Sequence, residues 1–447
     1  MGLTTSKTMG LRLMRRILTI AIPLLAIGLI AGFSTTEVRA QAQGLATVGP
    51  TDPANGYPQY YQDKGGLALE PCLANTAVGD PCAIAADVPI PGQPIVFPTN
   101  FPDEFFYWTA NARIRPLAGS NNFRADLTMA LEGAFGGATG GVVNGEQIVF
   151  ARFRFRVTGG LTPNASYTVT HPFGVRTFIA SATGTINVTE DQGCGAVPPA
   201  CNFAGVLTST NVGPFLRWSS AAPTPPVGYI GDPNVDHAIT GSPFGTNFLR
   251  IVGPNVGGPG INTIQTTLFS VTGKIFNGVL QTALTIHRTS YARTAAGSEI
   301  DLFAHSVGGA TIVGSATGIP TTTLTKDATS GRFFARIALA AGAAIPPFVR
   351  YTATATGSDP TVRDAPVIDE VTITNVSYTL ATKTLTVNAT SSDPVGAPTL
   401  TASGSPLEPL GTLTGGVLNV VLNAPPYQVT VTSSKGGTDT FLVDLRP

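Results

Sequence analysis

Residues 231 to 241, GDPNVDHAITG, gather two aspartates, an asparagine and one of only four histidines in this 447-residue chain. Asp232, Asn234 and Asp236 alternate as the first three oxygen ligands of a calcium loop do, because side-chain oxygens at every second position can curl around a hard cation. The later positions depart from such a loop: the sixth, normally glycine, is His237, and the twelfth, normally a bidentate glutamate, is Pro243. Turn chemistry built on Asp-Pro-Asn explains the same residues. These three side chains are the candidate calcium ligands, and no other cofactor is expected. His237 beside Asp236 has the form of an oriented general base, which can act only if a nucleophile and oxyanion donors converge on it. The sequence contains no GxSxG elbow, no HExxH and no phosphate loop. Asp103-Glu104, Glu190-Asp191 and Asp369-Glu370 supply paired carboxylates, the residue type for glycoside hydrolysis, but neighbours on one strand face opposite ways and cannot flank one sugar ring. The chain reads as non-catalytic.

Binding chemistry is carried by aromatic and basic residues. Trp108, closing the run FPDEFFYW at 101 to 108, and Trp218 beside Arg217 are the only tryptophans. Exposed, they form platforms for sugar rings or protein partners; buried, they are core. Trp108, Trp218, Arg217 and His237 are therefore the candidate ligand-binding residues. In QIVFARFRFRV, 147 to 157, Arg152, Arg154 and Arg156 alternate with Phe153, Phe155 and Val157, which puts three guanidiniums on one strand face. A solvated strand face explains that stripe; an anionic polysaccharide is the functional alternative.

The elements that must position these residues are strands. Glycine and proline number 51 and 36, enough to interrupt helices almost everywhere, and short Val, Ile, Thr, Phe and Tyr segments alternate with turn residues. The expected fold is all-β and multidomain: a leader over 1–40, a disulfide-bearing segment over 41–100 packed on a larger sandwich or jelly-roll-like front domain over 101–285, then an immunoglobulin-like sandwich over 286–356, a linker over 357–366 and a second such sandwich over 367–447. A repeat supports the last part. TSYARTAAGSEIDLFAHS at 289 is similar to VSYTLATKTLTVNATSS at 376, and PPFVRYTATATG at 346 to PPYQVTVTSSKG at 425, with offsets of 87 and 79 residues.

Arg12, Arg15 and Arg16 precede an apolar run from Ile17 to Phe33, and Val38-Arg39-Ala40 offers the small residues that signal cleavage needs. No second apolar span follows, so no transmembrane segment is expected after cleavage. The chain beyond residue 40 carries 21 basic and 25 acidic residues. Nothing in that balance resembles a basic patch able to displace counterions from nucleic acid. Cys72, Cys82, Cys194 and Cys201 form two local pairs; Cys72–Cys82 with Cys194–Cys201 is the simplest of three connectivities in an oxidising compartment, each bond worth on the order of 2–3 kcal/mol.

The last two segments resemble the immunoglobulin-like modules that bacterial surface proteins carry in tandem, without a Cys…Trp…Cys core. The front part, through DPANGYPQYYQDKGGLALEPCL at 52, THPFGVRTF at 170, GPFLRW at 213 and GYIGDPNVDHAITGSPFGTNF at 228, is similar to an uncharacterised family of secreted bacterial β-rich proteins. This resemblance implies export and brings no catalytic residues. The reading is a secreted or envelope-bound structural or adhesive protein that binds a cell-surface or matrix protein or polysaccharide, or itself, through loops of the front domain. A carbohydrate-binding module or carbohydrate-active enzyme is the alternative.

Overall fold

A computed structural model describes residues 43–73, 81–82, 88–115, 123–194, 201–327, 329–406 and 408–447. The leader lies outside them. The fold is all-β, and the described residues include a single helical segment, the 3-10 helix Phe203–Thr208, whose start is capped by the Asn202 side chain accepting from the Ala204 N–H.

Three strands of 11 residues, Glu104–Ile114, Ala125–Phe135 and Gln147–Val157, form the centre of the front domain. They belong to an antiparallel seven-stranded sheet that continues through Leu268–Thr272, His237–Thr240 and Arg217–Trp218 on one side and Ile186–Gly193 on the other. Period two does what the sequence predicts: Phe153, Phe155 and Val157 are buried, while Arg152, Arg154 and Arg156 take the other face. A four-stranded sheet ordered Thr263–Thr266, Leu249–Val252, Ser166–His171 and Gly174–Ile179 shares the same core, its Phe178 ring stacked 5.5 Å from Phe155. The N-terminal segment is built into this core. Tyr57 and Tyr61 are wholly buried, the Tyr57 hydroxyl donates to the Ala134 carbonyl, and the Asp63 carboxylate accepts from the Phe215 N–H at 2.8 Å. The disulfides are Cys72–Cys82 and Cys194–Cys201, the local pairs that spacing favours.

Two further cores follow, one from Leu284 to Val367 and one from Val371 to Val431. Each lies between two sheets, and the strand orders correspond. The first sandwich has Thr325–Asp327, Arg332–Leu339, Gly297–His305, Thr285–Thr294 and Ile368–Asp369 facing Thr322–Thr323, Thr311–Ser315, Phe348–Thr354 and Thr361–Pro366, the edge strand Thr325–Asp327 having no counterpart in the second. The second has Val417–Val421, Thr384–Ser391, Val371–Thr379 and Asp444–Arg446 facing Glu408–Thr412, Leu400–Gly404, Gln428–Ser433 and Thr438–Leu442. In both, the final strand runs parallel to the first. In both, the first strand carries a bulge, between Ile286 and Arg288 and, 87 residues on, between Ile373 and Asn375.

Two sequence expectations need correction. The stretch 357 to 366 is no linker: Thr361–Pro366 pairs along its length with Phe348–Thr354 and closes the first immunoglobulin-like sheet. The composition misleads because Gly, Ser, Asp and Pro at its start form the turn into that strand. The second repeat offset is 80, not 79. Buried Val349 and Tyr351 correspond to buried Val429 and Val431, whereas the double-proline match would set Val349 against half-buried Gln428 and turn every side chain to the wrong face.

The joints between these parts are hydrogen-bonded. Between front domain and first sandwich, the Gln281 N–H donates to Gln59 Oε1 at 2.8 Å, Thr99 Oγ1 donates to Asp364, and the Arg363 guanidinium reaches the Pro53 carbonyl and Asn144 Oδ1 at 3.2 and 3.0 Å. Between the sandwiches, the Asp393 side chain has no exposed surface; it accepts from Arg293 Nε at 2.8 Å and Nη2 at 2.5 Å and from the Tyr291 hydroxyl at 2.8 Å.

Candidate functional site

The 231–241 segment is a turn leading into a short strand. Asp232 Oδ1 accepts from the Asn234 N–H at 2.8 Å and the Asp232 carbonyl from the Val235 N–H at 3.2 Å. Asn234 and Asp236 are exposed. Among the described residues, no three His, Cys, Asp or Glu side chains converge as metal ligands. His237 begins the strand His237–Thr240 and points inward, so it and Asp236 do not meet as acid and base. Its Nδ1 lies 2.7 Å from the Ala238 carbonyl, which assigns the proton to Nδ1 and leaves Nε2 as a buried acceptor without a partner. The register setting Trp218 opposite Ile239 brings the Trp218 ring onto His237, stacked at 4.5 Å and 18°.

Neither tryptophan is a platform. Trp108 has no exposed surface; it packs near Phe173 and Phe215 and donates its Nε1–H to the Leu216 carbonyl at 3.0 Å. Trp218 is 6% exposed and belongs to the same core. Trp218 is the inward-facing member of an alternating pair with exposed Arg217, and Trp108 is buried for a different reason. Where both sides of a strand are covered, as in Tyr107-Trp108, adjacent aromatic residues are buried together. Arg217 alone of the four candidates faces solvent.

The arginine stripe divides. Arg152 makes a two-bond pair with Asp191 at 2.8 and 2.9 Å, reaches Glu132 at 3.0 Å and lies 3.8 Å from Glu104. These carboxylates come from three strands, a convergence that adjacent-pair reasoning misses. One guanidinium serves all three, and Glu132 is 1% exposed. Burial, with Glu104 beside it, pushes the Glu132 carboxyl up to about 9, so it stays protonated at neutral pH. A group so enclosed has no route to a substrate; it fixes the sheet face. Arg154 and Arg156 bond only to neutral oxygens, Thr189 Oγ1 at 3.3 Å and Asn187 Oδ1 at 3.0 Å.

A concave site lies elsewhere, on the outer face of the first immunoglobulin-like sandwich. Phe303 and Phe334 stand directly opposite each other on Gly297–His305 and Arg332–Leu339 and are 38% and 49% exposed. Beside Phe303, across the bulge in the strand Thr285–Thr294, the Arg288 guanidinium sits 4.4 Å above the ring. With His287, Ala304, Asp327, Arg332 and Phe333 they line a groove of about 680 Å³. Asp327 is held ionised, below the usual carboxylate range, by hydrogen bonds from Ser330 Oγ and the Thr329 N–H. Gly331, at φ +68°, lets the turn pass against the Ser306 carbonyl, which a Cβ would meet at 2.4 Å. A signal for these rings exists in the sequence. In DLFAH the buried Leu302 and Ala304 force Phe303 outward, and in RFFAR only one of two adjacent phenylalanines can be core.

No family model matches the sequence, and no curated protein matches it. Among solved structures, the chain is similar to the N-terminal Ig1-2 module of the Drosophila receptor protein tyrosine phosphatase DLAR, at 13% identity over 37% of this chain and 99% of that one, with a TM-score of 0.16. It is also similar to the Yersinia pseudotuberculosis adhesin InvE, at 16% identity over 36% and 58% of the two chains, with a TM-score of 0.13. A Ca2+-stabilized, ice-binding adhesin of an Antarctic bacterium aligns over 91% of both chains at 14% identity and a TM-score of 0.16. At such scores none of these bears on function; the architecture rests on the strand orders and cores above.

Proposed function

We propose that this chain is an exported, non-catalytic structural or adhesive protein of the bacterial cell surface or matrix, in which two immunoglobulin-like sandwiches act as a stiff spacer behind a front domain that engages a partner through its loops. The observation that carries this reading is the joint at Asp393, where a fully buried carboxylate holds Tyr291 and Arg293 of the preceding sandwich. Tandem modules used as a stalk need joints that resist bending, and a buried charge stripped of its partner is costly. The front domain presents apolar side chains on ordered loops. Val227 is 99% and Phe244 57% exposed, and the Phe244 loop is pinned by Ser242, whose hydroxyl donates to the Pro172 carbonyl and accepts from the Phe244 and Thr246 amides.

Fractionation of the native cells tests the location, and attachment of cells lacking the gene tests the role. Envelope or medium localisation with reduced attachment is expected; a cytoplasmic product, or unchanged attachment, overturns it. A second reading, a sugar-binding protein, is favoured by one observation, the paired exposed rings of Phe303 and Phe334.

A further inference from the structure

We propose that the groove over Phe303 and Phe334 binds a linear acidic polysaccharide, a uronate-type residue lying on the Phe334 ring with its carboxylate toward Arg332. This inference rests on the sugar-binding reading, and it places the site on the spacer, away from the front domain.

The fold does not require these aromatics. Apart from the edge strand Thr325–Asp327 the tandem copy has the same strand order and the same bulge, yet the position corresponding to Phe303 is Asn388, and the residue opposite it is Val417. Two large rings half-exposed on one copy alone form an apolar patch that folding leaves unused. As direct cross-strand partners the two side chains stand on one face of the sheet, and with Arg288 lying over Phe303 it is the Phe334 ring that is open to the C–H face of a pyranose.

Charge selects the ligand class. Arg332 is 76% exposed and its nearest carboxylate, Asp327, is 3.8 Å away, with the Asp327 oxygens already engaged by Ser330 and Thr329. Arg288 is paired with Glu370 at 3.2 Å, which leaves the exposed Arg332, only loosely matched by Asp327, as the cation of the groove open to a ligand. A ligand bringing its own carboxylate complements that cation, and a cationic one does not.

Shape selects a polymer. His287 and Arg288 also line a cleft of about 630 Å³ between the front domain and this sandwich, where Arg363 and Asp52 sit. The groove and the cleft thus adjoin through shared side chains. Each has the volume of a small-ligand site, and the two in succession give a track longer than one sugar unit.

The test uses the intact exported chain in affinity electrophoresis through gels containing polygalacturonate, with dextran as the neutral control. Retardation by polygalacturonate alone is expected, falling on the order of tenfold in Phe334→Ala and in Arg332→Gln. Both positions are exposed, so unchanged melting temperatures confirm that the variants fold. Equal retardation by dextran overturns the acidic class. Retardation that survives both substitutions overturns the site. If no polysaccharide retards the chain and Phe334→Ala instead abolishes self-association in sedimentation, the groove is a contact between copies and the proposal fails. Envelope localisation with no retardation sinks this inference and leaves the adhesive reading standing; retardation without envelope localisation does the reverse.

Discussion

At the scale of single residues, burial separates side chains that do chemistry from those that only pack. Trp108 fills a wholly enclosed space and its indole N–H is bonded to the Leu216 carbonyl. Trp108→Ala should therefore act through stability, costing about 3–5 kcal/mol in a denaturant titration, and leave any binding by correctly folded protein unchanged. Glu132 makes a pH-dependent prediction. Its folded-state pKa, about 9, lies above its unfolded value, so the native state binds the extra proton between the two. Its contribution is fully present below about pH 4.5 and is lost as pH rises toward 9. Glu132→Gln keeps the neutral shape, so the variant should match the native protein at pH 5 and melt higher at pH 9. For the 231–236 turn, Asp232 is already engaged by the Asn234 amide, and calcium addition should leave the melting temperature unchanged. A rise with calcium concentration would show that the turn opens to hold an ion.

At the scale of elements, facing parity carries the fold. The bulge at His287 turns a strand edge so that His287 and Arg288 are both exposed and both line the groove, and the same bulge in the tandem copy frames Thr374. Thr361–Pro366 shows how composition can hide a strand. Within it Thr361 has no exposed surface and donates to the Thr282 carbonyl, while Asp364 bonds Arg350 at 2.8 and 2.9 Å. Replacing 361 to 366 with a Gly-Ser spacer, harmless to a linker, should abolish cooperative unfolding of the first immunoglobulin-like sandwich and expose it to limited proteolysis.

At the scale of the molecule, the joints decide whether the chain acts as a rod or a string. Asp393 is held well below the usual carboxylate range, at about 2, first by the Arg293 guanidinium. Its stabilisation is present above the unfolded value near 3.8 and is lost as pH falls toward 2. Arg293→Ala removes two charge-assisted bonds and leaves the carboxylate buried, so it should cost roughly 1.5–3 kcal/mol. Small-angle scattering should show a wider spread of dimensions for this variant at neutral pH. An unchanged profile would mean that packing alone sets the angle between the sandwiches.

Local periodicity determined much of this protein in advance: the all-β class, the inward Phe153 and Phe155 against outward arginines, the short disulfides and the tandem repeat all follow from which residues alternate and how closely cysteines are spaced. What alternation cannot encode is which strand lies beside which, or what covers the far face. Those depend on pairings between residues distant in the chain, so only the tertiary structure buried both tryptophans, drew Glu104, Glu132 and Asp191 around one arginine, and set Phe303 against Phe334. The strand face of a residue is a property of its neighbours in sequence; its partners are a property of register and layer packing.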